Sequence, residues 1–272
     1  MRKGLEVATA VQHIKRMRGG AQSHLMRCED GQLYVVKFRN NPQHERVLAN
    51  EFMGTKLGEC LGLPVPAATI VYVSWWLIEH TPELRILLGS QEIPCEAGLQ
   101  FGSQYVISPQ KGQVFDYLPQ EMLGRVRNME TFAGILALDK WTCNADGRQA
   151  TFSRKPREKK YVATFIDQGY CFNAGEWTFP DLPLRGVYPR NEVYAAVNGW
   201  RSFEPWLSRI ERIEDAVIWA IAEKVPPEWY GHAWGQMEDL VRKLIDRKTM
   251  VRELILAFRK SPRQPFPEWR DT

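Results

Sequence analysis

Short apolar runs separated by turn residues fill the first hundred positions of the chain, and runs of helical spacing replace them after Pro119. The runs at 8–14, 25–27, 33–38, 69–73 and 104–107 are bounded by Gly, Asn or Pro, which predicts short strands. One helix interrupts them over residues 45–60, where Leu48, Phe52, Leu57 and Leu61 recur near helical spacing until GLPVP, from Gly62, stops it. Later, Asn128 stands as a cap before the apolar stretch 132–138, and further helices are predicted near 203–208, 210–223, 227–244 and 250–258. A strand pair, 149–152 with 161–166, flanks a basic insert at 153–160. No fixed-period repeat is present, which disfavours a solenoid. The pattern predicts an α+β chain: a small β-rich lobe over 1–110, a larger, mainly helical lobe over 111–260 with the boundary near 109–119, and an extended, proline-bearing tail over 261–272.

Composition narrows the function classes. The 272 residues are 44% hydrophobic, enough for a sizeable core, and the net charge of +4 is too mild to imply a nucleic-acid partner. The locally basic stretch 242–263 reads as a solvated helix face. The start, MRKGLEVATAV, lacks the apolar core of a signal peptide, and no run approaches the roughly 20 apolar residues of a membrane span. A cytoplasmic protein without a membrane partner is expected. Five scattered cysteines with no CxxC pair support neither a disulfide framework nor a zinc site, and no HExxH or Ser/His/Asp signature is present.

What remains is an ordered set of polar residues inside apolar surroundings. Lys37 interrupts the strand YVVKF, where an ammonium is costly unless an anion meets it; an outward-pointing lysine on an edge strand is the simpler alternative. Ahead of it, RGGAQSHLM carries Gly19, Gly20 and Ser23 in a turn able to present backbone N–H groups to phosphate, or to serve as a plain hairpin turn. Glu51 lies early in the following helix, within reach of Lys37. Asp139 ends an apolar helix, Asp146 follows in a polar turn, and Asp167 with Gly169 closes the next strand, a placement suited to a hard cation such as Mg2+. Each aspartate taken singly also fits a helix or turn cap. Glycine turn, strand lysine, helix glutamate, loop aspartate and strand-end aspartate are together the parts that phosphoryl transfer uses for positioning and charge neutralisation.

In this order and spacing the strings GGAQ, YVVKF, NEF, LGLPVPAATIV, Trp141 with Asn144 and Asp146, and IDQG resemble the HipA-like kinases, bacterial relatives of the protein-kinase fold. The resemblance spans roughly residues 10–260 and implies a bilobal, protein-kinase-like fold, with ATP and Mg2+ as cofactors and a Ser/Thr protein acceptor. Carried over, Gly19, Gly20, Ala21, Gln22 and Ser23 form the phosphate loop. Lys37 pairs the nucleotide phosphates and Glu51, Asp146 is the catalytic base, and Asp167 holds the metal. Adenine is expected at the lobe junction near Tyr105, over 105–108. The chain departs from the family in one place: five residues after Asp146, where a metal-binding Asn is expected, stands Thr151, with Gln149 as a substitute. An alternative frame takes Asp139 as the base, with Asn144 five residues later as the metal ligand. Asp167 follows Asp146 by 21 residues and Asp139 by 28, and the shorter separation favours Asp146. A nucleotide-binding pseudokinase acting as a partner-binding module stays open beside the kinase, as does a small-molecule or lipid head-group acceptor.

Overall fold

A computed structural model describes residues 7–106 and 112–270. The first part runs β1 (Val7–Arg16), β2 (His24–Cys28), β3 (Leu33–Lys37), α1 (Val47–Cys60), β4 (Ala68–Val73), α2 (Trp75–Glu79), β5 (Arg85–Leu88), β6 (Gln91–Pro94) and β7 (Gly98–Gln104). The second runs β8 (Gln113–Phe115), α3 (Gln120–Leu123), α4 (Thr131–Trp141), β9 (Gln149–Arg154), β10 (Val162–Ile166), α5 (Trp206–Arg212), α6 (Asp215–Ala222), α7 (Trp234–Asp246) and α8 (Val251–Arg259), with short 3-10 turns between.

Five strands close into a barrel in the order β1-β2-β3-β7-β4, sealed where β4 pairs parallel with β1, while β5 and β6 form a separate hairpin. Because side chains alternate across a strand, β4 sends Val71 and Val73 into one core with Met26 and Val36, and Ala68 and Ile70 into a second. That second core unites the α1 side of the barrel with the C-terminal helices. α1 brings Leu48, Phe52 and Leu57 into it, and α4 is buried over its whole length, Asp139 and Lys140 included. β9 pairs with β10 on one edge and β8 on the other. Among the described residues no helix is long and apolar enough to cross a membrane.

Several expectations shift. The helix expected over 210–223 is two, because Ile213 and Glu214 are extended and the Ile213 carbonyl accepts the Lys248 ammonium at 2.7 Å instead of continuing a helix. The strand expected over 104–107 is β7, which ends at Gln104; residues 107–111, and with them part of the expected boundary and of the adenine segment, lie outside the described residues. The short elements β5, β6, β8 and α2 escape the periodicity because each is only three to five residues long. The tail folds back: Phe266 is buried and packs edge-on against Tyr194, Phe203 and Phe258. Nor is the basic stretch 242–263 simply solvated, since Arg247 is buried, reaching the Asp181 carboxylate and the Lys140 and Trp141 carbonyls.

Candidate active site

β3 is an interior barrel strand, between β2 and β7, so Lys37 has no edge from which to reach water. Its side chain is 9% exposed, and its Nζ donates to Glu51 Oε1 and to Asp167 Oδ1, the latter at 2.8 Å. The carboxylates come from elements far apart in sequence, α1 and the end of β10. Glu51 is buried, and its Oε2 accepts the Gln168 backbone N–H at 2.9 Å, so α1 holds both the lysine and the backbone beside Asp167. Asn50, one residue earlier, offers its amide protons to the Gly169, Cys171 and Ala174 carbonyls and accepts from Trp177 Nε1. Two successive α1 side chains thereby fasten the loop that follows Asp167.

The loop conformation explains its residues. Asp167 has φ +64, a left-handed conformation that aspartate tolerates better than bulkier residues, and such outliers concentrate at functional sites. At Gly169 a Cβ would come within 2.8 Å of Val47 Cγ2 and 3.1 Å of Glu51 Oε1, so any larger residue would push the loop off α1.

Charge in this cluster is unbalanced: one ammonium faces two carboxylates. Burial works to lower the Lys37 pKa, but Glu51 and Asp167 reverse it and hold it above its ordinary value. Burial raises Glu51 to about 7, against the pull of Lys37 and with the push of Asp167. Asp167 also resists burial; Lys37, Glu51 and Arg148 together bring its carboxyl down to about 2. It is the most open of the three, its side chain 18% exposed against 9% for Lys37 and 3% for Glu51.

The glycine-rich turn joins β1 to β2 and is closed by the Met17 N–H on the Ser23 carbonyl at 2.8 Å. Gly19 has φ +116, which favours glycine, and Gly20 and Ala21 follow it. Ser23 is buried. The Gln22 side chain turns to the β5–β6 hairpin, donating to the Leu87 carbonyl and accepting the Leu87 N–H, both at 2.7 Å, and so shapes the turn from its flank. Tyr105 lies half-buried just past β7, its N–H on the Leu33 carbonyl.

The structure separates the two aspartates that spacing left in competition. Asp139 is sealed: its side chain has no exposure, Arg148 bonds both oxygens, and Asn144 Nδ2 donates to Oδ1 at 2.9 Å. The Asn144 oxygen is itself taken by the Asp146 N–H at 3.1 Å. Asp139 and Asn144 are therefore closed off, the Asp139 oxygens taken by Arg148 and Asn144 and the Asn144 oxygen by the Asp146 N–H. Asp146 is exposed, and Tyr170 packs close enough to sense both its charge and that of Asp167. Thr151 lies inside the β9–β10 ladder opposite Thr164, with its hydroxyl buried and unpartnered. Gln149 occupies the rung opposite Ile166, next to Asp167, and is exposed.

Sequence reasoning missed Asn50 and Arg148. Arg148 links Asp139 to the Ile166 carbonyl at 2.8 Å and the Asp167 carbonyl at 3.3 Å, setting where β10 delivers its aspartate. The one clue in the sequence was polarity without exposure: Asn50 sits in an apolar helix.

Solved kinases share this arrangement of elements. The Helicobacter pylori proinflammatory kinase CtkA superposes with a TM-score of 0.57 at 16% identity, covering 92% of this chain and 99% of its own. A Golgi casein kinase solved with Mn/ADP bound gives 0.54 at 11% identity, over 95% of this chain and 74% of its own. At such identities the likeness is one of fold, and the fold is that of kinases with a mixed α/β architecture. No curated protein matches the chain in sequence. The model of the HipA-like kinase family matches residues 10–157, more than half of the chain, and the chain belongs to that family. It is a kinase-type phosphotransferase.

Proposed function

We propose that this kinase has two lobes meeting near residues 109–119, binds ATP and Mg2+ between them, and transfers the γ-phosphoryl group to a Ser or Thr hydroxyl of a protein. The observation that carries the reading is the buried Lys37, held at once by Glu51 of α1 and by Asp167 at the end of β10. The donor set fits the nucleotide and its metal. Among the described residues no cage of three His, Cys, Asp or Glu side chains is present, and Mg2+ does not require one, since it is bound through one or two carboxylates, phosphates and water. Asp167 would hold it, with Gln149, exposed on the rung opposite Ile166, as a second ligand in place of the buried Asn144. Bound Mg2+ supplies neutralisation of phosphate charge. Lys37 holds the phosphates from the barrel side, and the turn over residues 19–23 presents backbone N–H groups other than that of Gln22, which the Gly19 carbonyl takes. Tyr105 flanks adenine. Asp146, exposed and free of any cationic partner among the described residues, orients the acceptor hydroxyl and accepts its proton.

The test is transfer from γ-labelled ATP to the protein itself and to lysate proteins, comparing wild type with Asp146→Asn, Asp139→Asn and Asp167→Asn. Label on Ser or Thr, lost with Asp167→Asn and Asp146→Asn, is expected; loss on Asp139→Asn without unfolding and retention on Asp146→Asn would exchange the base. Label confined to small molecules or lipid would redirect the acceptor. Thr151 standing where the family pattern places a metal-binding Asn supports a second reading, a nucleotide-binding module for a partner protein. Nucleotide binding without transfer from wild type would establish it.

A further inference from the structure

The segment between β3 and α1, residues 38–46, touches both sides of the site just described. Its Asn41 is buried and turns back on itself: the Gln43 N–H donates to Asn41 Oδ1 at 2.9 Å, which orients the amide so that Nδ2 donates to the Ala21 carbonyl of the glycine turn at 2.8 Å. Three residues on, His44 Nε2 lies 2.9 Å from the Gly169 carbonyl. A carbonyl accepts only, so Nε2 carries the proton. Nδ1 is then a bare acceptor, buried without a partner, and burial holds the ring neutral. The His44 ring stands edge-on to Tyr170 at 5.6 Å. The base of the segment is pinned by Arg39 and Asn40 to residues 94–100. Two side chains three residues apart, on one anchored loop, therefore fasten the turn that would cradle phosphate and the loop that would hold the metal.

We propose that Asn41 and His44 are positioning residues, the two ends of a strut that sets the distance between the glycine turn and the Asp167 loop. The inference rests on the proposed nucleotide site for its consequence but not for its mechanics. Loss of the Asn41 bond removes a partner from the Ala21 carbonyl and loss of the His44 bond removes one of two from the Gly169 carbonyl, and either lets both loops drift. Asn50 also holds the Gly169 carbonyl, so loss of His44 alone loosens that loop without releasing it.

The experiment is hydrogen exchange on the full chain without ligand, followed by MgADP binding and steady-state kinetics, for Asn41→Ala, His44→Phe, His44→Gln and the double variant Asn41→Ala/His44→Phe. Asn41→Ala is expected to speed exchange at residues 168–174 as well as at 17–23, and His44→Phe to speed it at 17–23 as well as at 168–174. His44→Gln, whose terminal amide reaches the same carbonyl, restores protection. MgADP affinity and KM for ATP worsen on the order of tenfold in Asn41→Ala, roughly fivefold in His44→Phe and no more than about twofold in His44→Gln. The double variant is no worse than the worse single, as expected for two ends of one element. Exchange confined to each variant's own end, or losses that multiply, would overturn the strut. Coupled exchange in a wild type that binds no MgADP would leave the strut standing and remove the nucleotide reading.

Discussion

Lys37 with Glu51 and Asp167, and Arg148 with Asp139, are both ion clusters withdrawn from water, and they differ in balance and in access. The Arg148–Asp139 pair is neutral, its side chains have no exposure, and every carboxylate oxygen is taken. The Lys37 cluster sets two carboxyl groups against one ammonium, with Glu51 raised to about 7, and opens at Asp167. A sealed, balanced pair fixes geometry, here the path by which β10 reaches Asp167. An unbalanced cluster with one open carboxylate has use for another cation. Asp139, despite its conventional spacing to Asn144, belongs to the pair most completely bonded.

That comparison can be broken most forcefully at Arg148. Arg148→Ala leaves the buried Asp139 carboxylate without its cation, with only the Asn144 amide beside it, and is expected to cost about 3–5 kcal/mol of stability, measured by urea unfolding; a loss under about 1 kcal/mol would mean that the sealed pair does not hold the fold. Next is Asp167→Asn. A ligand at 100 times its Kd stabilises by about 2.7 kcal/mol, and this substitution is expected to abolish the Mg2+-dependent part of that gain in a thermal shift with ATP. Persistence of the full shift would count against a metal role. Lys37→Ala comes third: it weakens nucleotide binding by roughly tenfold or more, yet the chain stays folded because Glu51, already raised, takes up a proton in place of the missing ammonium. A thermal shift with MgATP equal to that of wild type would sink it.

The smallest effect is the pH dependence of the open cluster. Glu51 titrates at about 7 in the folded chain against an ordinary 4.5, so the folded state binds more protons between those values. Its contribution to stability is full below about 4.5 and is lost as pH rises through about 7. Asp167 has the opposite sign: its contribution is present above 3.8 and lost as pH falls through about 2. Glu51→Gln is expected to flatten the decline of stability between pH 4.5 and 7, and an unchanged slope would show that Glu51 carries no shifted proton.

Much of the site was legible because its members are polar residues in apolar strings. Lys37 in YVVKF and Glu51 in an apolar helix stand out by cost alone, and Asp167 by its place at a strand end. Spacing favoured Asp146 over Asp139 without deciding between them, because a carboxylate in a sequence does not say whether a guanidinium will cover it. Helix boundaries failed for similar reasons. The break at Ile213 depends on Lys248, and the folded-back tail depends on an aromatic cluster assembled from residues 194–269.

The sequence by itself determined the alternation of strands and helices, the glycine turn, and the order of lysine, glutamate and aspartates, since these rest on local periodicity and on the cost of isolated charge, and the strings that carry them resemble the HipA-like kinases. Only the tertiary structure decided which carboxylate Lys37 shares, which aspartate is sealed behind Arg148, and that residues 41 and 44 bridge the two loops. Those contacts span from 9 to 130 positions and are fixed by how elements pack rather than by any pattern along the chain.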